Sequence, residues 1–194
     1  LNSMKPHYLI SSSNKCLQGM PGISFVICKK TSLNALSTTP PRSLYLNLYQ
    51  QHTHLQEKKQ LPFTPPVQTF YALEKALDEY FLETEKKHFC RYKENYLSLF
   101  KGLSELGFSF LIPEEYQSGL LISVKAPTNS RYSFEDMHDY FYAKGYTIYP
   151  GKVTEVDTFR LSVIGQIYKS DIENFLHELK TFLSQKKLLG NLYP

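Results

Sequence analysis

Apolar residues recur every three or four positions from Phe70 onward: Phe70, Leu73, Leu77 and Phe81, then Tyr92, Tyr96, Leu99, Phe100, Leu103 and Leu106. That spacing puts each set on one side of an α-helix, and both stripes are expected to be core. Pro65-Pro66 suits the first turn of the earlier helix, where an N–H has no partner to lose, and Gly107 supplies a stop for the later one. Ahead of them, Tyr8-Leu9-Ile10 and the run from Ile23 to Cys28 read as short strands on either side of a Gly/Pro turn. The stretch from Thr31 to Leu61 has no clear period and is expected to be irregular. His52 and His54 within it read as exposed loop residues, because no third ligand stands at helical or turn spacing.

Past Gly107 the runs shorten. Phe108 to Ile112, Leu120 to Val124, Tyr146 to Tyr149 and Phe159 to Val163 are expected strands. Ser133 to Lys144 is expected to be a helix, with Ser133 as N-cap and Phe134, Met137 and Phe141 inward. The last helix opens with the capping-box pattern Ser170-Asp171-Ile172-Glu173 and buries Ile172, Phe175, Leu176, Leu179, Phe182 and Leu183. An antiparallel sheet of three or four strands with helices on one face accounts for this order, an α/β arrangement.

Composition adds limits rather than a function. With 194 residues, 42% of them hydrophobic, the chain can bury a core of one large or two small domains. The net charge of +4 comes from 22 basic and 18 acidic residues spread along the chain. Lys86-Lys87 and Lys186-Lys187 therefore read as solvated pairs, not as a nucleic-acid surface. Cys16, Cys28 and Cys90 are an odd set without Cys-x-x-Cys spacing. They argue against a disulfide framework or a zinc site and for a reducing cytoplasm. No apolar run approaches the ~18 residues of a membrane span.

Chemistry concentrates around one lysine. From Ser11 to Gly22 the chain reads Ser-Ser-Ser-Asn-Lys-Cys-Leu-Gln-Gly-Met-Pro-Gly, so Lys15 sits on a hydroxyl- and amide-rich loop at the end of a strand. An amine there could capture an aldehyde as a Schiff base; the plainer role is a solvated surface charge. Ser13 and Asn14 could offer hydrogen bonds to a cofactor phosphate or satisfy the turn itself. Thr64, just before the Pro65 helix, suits either an anion or a plain N-cap. Arg160, between Phe159 and Leu161, either meets an anion with its planar fork or points outward from an alternating strand.

The Ser11–Gly22 segment resembles the cofactor-lysine region of the 2-aminoethylphosphonate:pyruvate aminotransferase family, class V enzymes dependent on pyridoxal 5'-phosphate (PLP) with fold type I. Further matches lie at Ser43-Leu44-Tyr45-Leu46-Asn47-Leu48-Tyr49, Phe63-Thr64-Pro65-Pro66, Ile148-Tyr149-Pro150-Gly151-Lys152, Phe159-Arg160 and Ile164-Gly165. The resemblance implies the C-terminal part of a PLP-binding large domain over residues 1–83 and a small α/β domain with a short antiparallel sheet over residues 84–194. It implies Lys15 as the catalytic residue that binds PLP and moves the proton, with Ser13, Asn14 and Thr64 as further cofactor-binding residues. Thr64 would reach the cofactor phosphate across a homodimer interface. Arg160 would bind the substrate anion, with Lys152 adding positive field nearby. No metal is expected, and no nucleic-acid or membrane partner.

The reaction implied is transfer of the amino group of 2-aminoethylphosphonate to pyruvate, giving phosphonoacetaldehyde and L-alanine. Because the family's lysine lies near mid-chain and Lys15 stands near the start, the chain is expected to be the C-terminal half of such an enzyme. Ser162 stands where the family usually has Gly, and Asn47 where Asp is usual. Three alternatives remain open. One is a class V aminotransferase of alanine:glyoxylate type, and another is a non-catalytic fragment with an assembly role. A cysteine desulfurase fits less well, since Cys16 abuts the lysine, Cys28 ends a strand and Cys90 falls in a helix.

Overall fold

Two strands of like length close on each other near the start of the chain: β1 (Tyr8–Ser12) and β2 (Ser24–Cys28) pair antiparallel, with Tyr8 opposite Cys28 and Ser12 opposite Ser24. The computed structural model describes residues 3–151 and 155–194. They form two compact units, divided between Tyr80 and Phe81 inside a helix, just ahead of the 83/84 boundary expected from the sequence.

The first unit adds helices α1 (Lys30–Ala35) and α2 (Leu48–Lys58) and the part of α3 (Val67–Glu83) up to Tyr80 to this hairpin. Ile23, Leu33 and Ala76 are its buried apolar residues. The expectation of irregular chain from Thr31 to Leu61 is corrected here, since α1 and α2 lie within it. α2 buries no residue completely, so its apolar pattern carries no signal. Its ends supply one instead: the Asn47 side chain accepts a hydrogen bond from Gln50 N at 3.0 Å, and Lys59 closes the helix in the left-handed conformation. His52 and His54 accordingly sit half-buried on a helix rather than exposed on a loop. The α3 stripe is split. Leu73 and Leu77 are half-buried around Ala76, whereas Phe70 and Phe81 are 42% and 72% exposed, so these two aromatics are not core.

The second unit contains α4 (Glu85–Glu105), β3 (Leu121–Lys125), α5 (Phe134–Ala143), β4 (Tyr149–Pro150), β5 (Thr158–Ser162) and α6 (Lys169–Gln185). Its sheet is antiparallel in the order β3-β5-β4. One core joins Leu99 and Leu103 of α4, Met137 and Phe141 of α5, and Leu179 and Leu183 of α6 with Ile122, Val124, Phe159 and Leu161 of the sheet. The apolar periods of all three helices are thus used as expected. Ser133 caps α5 by accepting from Asp136 N at 3.1 Å. α6 starts earlier than the Ser170 pattern suggests, with the Asp171 carboxylate accepting from Tyr168 N at 2.8 Å.

Two expected strands shrink. Phe108 to Ile112 reaches only a single bridge, Phe110 to Val124, with Leu111 N donating to Ser123 O at 3.0 Å. Pro113 follows at once and cannot extend a ladder. The strand expected over Tyr146 to Tyr149 is found only at Tyr149–Pro150, where Tyr149 lies opposite Arg160 and Pro150 opposite Phe159.

Candidate active site

Lys15 lies in the connection between β1 and β2, and that connection is tied together by its own backbone. Ser13 N donates to Ile23 O at 3.0 Å, Gly19 N to Ser13 O at 2.8 Å and Gln18 N to Lys15 O at 2.8 Å. The Ser13 hydroxyl is fully buried and is shared between Met20 O at 2.5 Å and Ile23 O at 3.2 Å. A serine has one proton to donate, and here it goes inward. Of the two roles the sequence allows Ser13, the structure displays the local one, and no surface of its side chain is open to a ligand. Asn14 is half-buried and Lys15 exposed. Among the described residues Lys15 has no carboxylate within ion-pair distance. An accessible primary amine on a closed loop, uncommitted to an acid, fits a cofactor that presents an aldehyde.

Thr64 is exposed on the approach to α3. The helix begins at Val67, and Pro66 O accepts from Thr69 N at 2.9 Å and from Phe70 N at 3.2 Å. Thr64 therefore stands outside the first turn and is not its N-cap, which leaves the hydroxyl available to another group. Asn47, at the position where Asp is usual, caps α2, a task that asparagine and aspartate perform equally well.

Arg160 occupies the middle of β5, opposite Ser123 on one side and Tyr149 on the other. Its neighbours Phe159 and Leu161 are buried in the core, so by strand alternation Arg160 lies on the opposite face. There it is half-buried, and its Nε donates to Pro150 O at 3.3 Å. This holds the guanidinium stem against the sheet while the end of the fork can still receive a carboxylate or phosphonate. Ser162, in place of the usual Gly, donates to Leu120 O at 3.2 Å and accepts from Ile164 N at 3.2 Å, so its hydroxyl closes the end of β5. Lys152 lies outside the described residues.

The segment that follows this strand is held by a polar cluster that sequence reading misses. Arg91 Nε and Nη2 donate to the two Glu83 oxygens at 2.6 and 2.9 Å, while Nη1 donates to Gly165 O at 2.7 Å and Ile167 O at 3.2 Å. Asn95 Nδ2 donates to Ile167 O at 2.6 Å, and Gly165 N donates to the Tyr92 hydroxyl at 3.1 Å. One turn of α4 thereby holds the loop between β5 and α6. The paired hydrogen bonds from Arg91, against the opposing effect of burial, hold the Glu83 carboxyl down at about 2; His88, 2.8 Å from Oε2, acts in the same direction. The only local signal is an arginine beside the inward Tyr92, since its carbonyl partners lie more than seventy residues further along the chain. Among the described residues no cluster of acids, histidines and cysteines could hold a metal, and no helix is long and apolar enough to cross a membrane.

No protein-family profile matches the chain. A 2-aminoethylphosphonate–pyruvate transaminase of Cupriavidus pinatubonensis is 36% identical over 167 residues, which are 86% of this chain and 44% of that protein. The protein of the same name from Vibrio cholerae is 38% identical over 177 residues, 89% of this chain and 47% of its own length. The chain spans about half the length of these curated relatives. Among solved structures, an alanine–glyoxylate aminotransferase from Nostoc superposes with a TM-score of 0.80 at 19% identity, over 94% of this chain and 49% of that one.

Proposed function

We propose that this chain, which shares its fold with an alanine–glyoxylate aminotransferase and is similar over about half their length to the 2-aminoethylphosphonate–pyruvate transaminases, is part of a class V aminotransferase of fold type I with that transaminase activity. The complete protein moves the amino group of 2-aminoethylphosphonate to pyruvate and releases phosphonoacetaldehyde and L-alanine. It works with PLP, as a homodimer, in the cytoplasm. Three cysteines, all free, are in keeping with that compartment.

The observation that carries the reading is the exposed amine of Lys15, presented without an acid partner on a loop whose backbone is closed on itself. PLP, when bound, supplies an aldehyde that takes up the amino group and a ring that stabilises negative charge on the substrate carbon. Lys15 Nζ would hold the cofactor through its aldehyde and, when free, would take the proton from the carbon that bears the substrate nitrogen. Asn14 and Thr64 offer polar groups to the cofactor phosphate, Thr64 to that of a neighbouring subunit. Ser13 enters the cofactor set through the loop it closes. Arg160 receives the anionic end, the carboxylate of pyruvate or alanine and the phosphonate of the other substrate. The close relatives favour the phosphonate over a glyoxylate-type substrate, because the glyoxylate enzyme shares this chain's fold at only 19% identity.

The test is a pair of substitutions in the complete protein. Lys15→Ala should lose both the absorbance of bound cofactor and alanine formation. Arg160→Ala should keep the absorbance but lose ~2–5 kcal/mol in kcat/KM for pyruvate, the typical cost of removing one partner of a desolvated charge pair. Normal pyruvate kinetics in Arg160→Ala would make that arginine structural. Robust alanine formation by Lys15→Ala would end the aminotransferase reading.

A further inference from the structure

Four of the hydrogen bonds that close the Lys15 loop pass through one residue, Ser13. Ser13 N binds Ile23 O, Ser13 O receives Gly19 N, and the Ser13 hydroxyl bridges the carbonyls of Met20 and Ile23. Gly19 comes so near that a Cβ built there would lie 3.1 Å from Ser13 O and 3.4 Å from Ser13 Cβ. The chain leaves this knot at Asn14, passes Lys15 and returns through Gln18, which takes the left-handed conformation at φ 60°. We propose that Ser13 is a positioning residue for Lys15: its buried hydroxyl fixes the loop from which the Lys15 amine emerges, so that the amine meets an aldehyde without first having to order the chain. The proposal rests on the reading of Lys15 as the cofactor lysine.

The physical reason is entropic. An amine on a loose loop of several residues must lose backbone freedom each time it bonds to an aldehyde, whereas one on a fixed turn has lost it during folding. Removing the hydroxyl leaves Met20 O without this partner and Ile23 O with only Ser13 N. The weakened tie then shows at Lys15 two residues away, not only in overall stability.

The measurement uses the complete protein incubated with graded PLP, reduced with borohydride, digested and read by mass spectrometry for the labelled lysine. Amide exchange at Gly19 is followed in parallel. Ser13→Ala should raise the PLP concentration for half-maximal labelling of Lys15 about tenfold, the equivalent of one net hydrogen bond. Exchange at Gly19 should quicken by a similar factor. Gly19→Ala, which presses on the same carbonyl with Ser13 intact, should shift labelling in the same direction, and it decides the question alone if Ser13→Ala does not fold. A Ser13→Ala protein that melts earlier yet labels Lys15 at the wild-type concentration overturns the proposal, because the role is then only structural. Wild-type protein labelled at another lysine removes the cofactor reading and the proposal together, an outcome visible before any variant is compared.

Discussion

Glu83 is held well below the usual carboxylate range, chiefly by one neighbour, Arg91, with His88 acting in the same direction. The two hydrogen bonds from Arg91 outweigh desolvation and bring its carboxyl to about 2 from an ordinary 4.5. Its folded form thus binds a proton less readily than its unfolded form. The resulting stability is complete above the unfolded value and disappears as pH falls through the window from 4.5 to about 2. Glu83→Gln should therefore be less stable than the wild type near neutral pH, and the difference should shrink to little at the acid end of that window. Denaturant titrations at a series of pH values check this. A difference independent of pH would mean that Glu83 acts through shape and not through charge. The same pair anchors Arg91 on the carbonyls of Gly165 and Ile167, so a loss of Glu83 should also loosen the loop that follows the Arg160 strand.

Helices α4 and α6 meet at a glycine. A Cβ at Gly102 would lie 2.3 Å from Leu176 Cδ1, 2.8 Å from Cδ2 and 3.0 Å from Cγ, so rotating the leucine tip cannot clear it. Gly102→Ala gains about 1 kcal/mol of helix propensity, but the overlap costs roughly 1–3 kcal/mol. The expected result is a lower melting temperature. Combining it with Leu176→Ala should show the two changes costing less together than their sum, and strict additivity would place the helices further apart than described. What sequence could convey differs among elements for physical reasons. α4 and α6 announce themselves because each buries an apolar stripe, and α2 stays hidden because it buries none and is held by Asn47 at one end and Lys59 at the other. Lys15 and Arg160 were legible as candidates from their immediate neighbours. The Arg91 cluster was not, since it exists only once α4 and the Gly165 loop have been brought together.

On the scale of the whole chain, apolar surface is unevenly covered. Leu44 and Leu46 are each 71% exposed, Ile10 75% and Tyr71 68%. Among the described residues β1 and β2 pair only with each other, so each has an edge of backbone donors and acceptors not paired in a sheet. A two-stranded hairpin of this kind is marginal in water, and open edges and apolar patches are what second chains pair with. By contrast, the unit from Phe81 onward has a continuous core joining three helices and a sheet. The 194-residue chain in solution should consequently self-associate through the part that ends at Tyr80, and the remainder should stay folded within each copy. Sedimentation across a dilution series should show mass falling with concentration, and amide exchange should find protection concentrated in α4, α5 and α6. Replacing Leu44 and Leu46 by lysine should weaken association without lowering that protection, because neither residue belongs to the core. A dilute, stable monomer with equal protection in both units would show that the exposed leucines and hairpin edges need no cover, and the expectation of self-association would then be withdrawn.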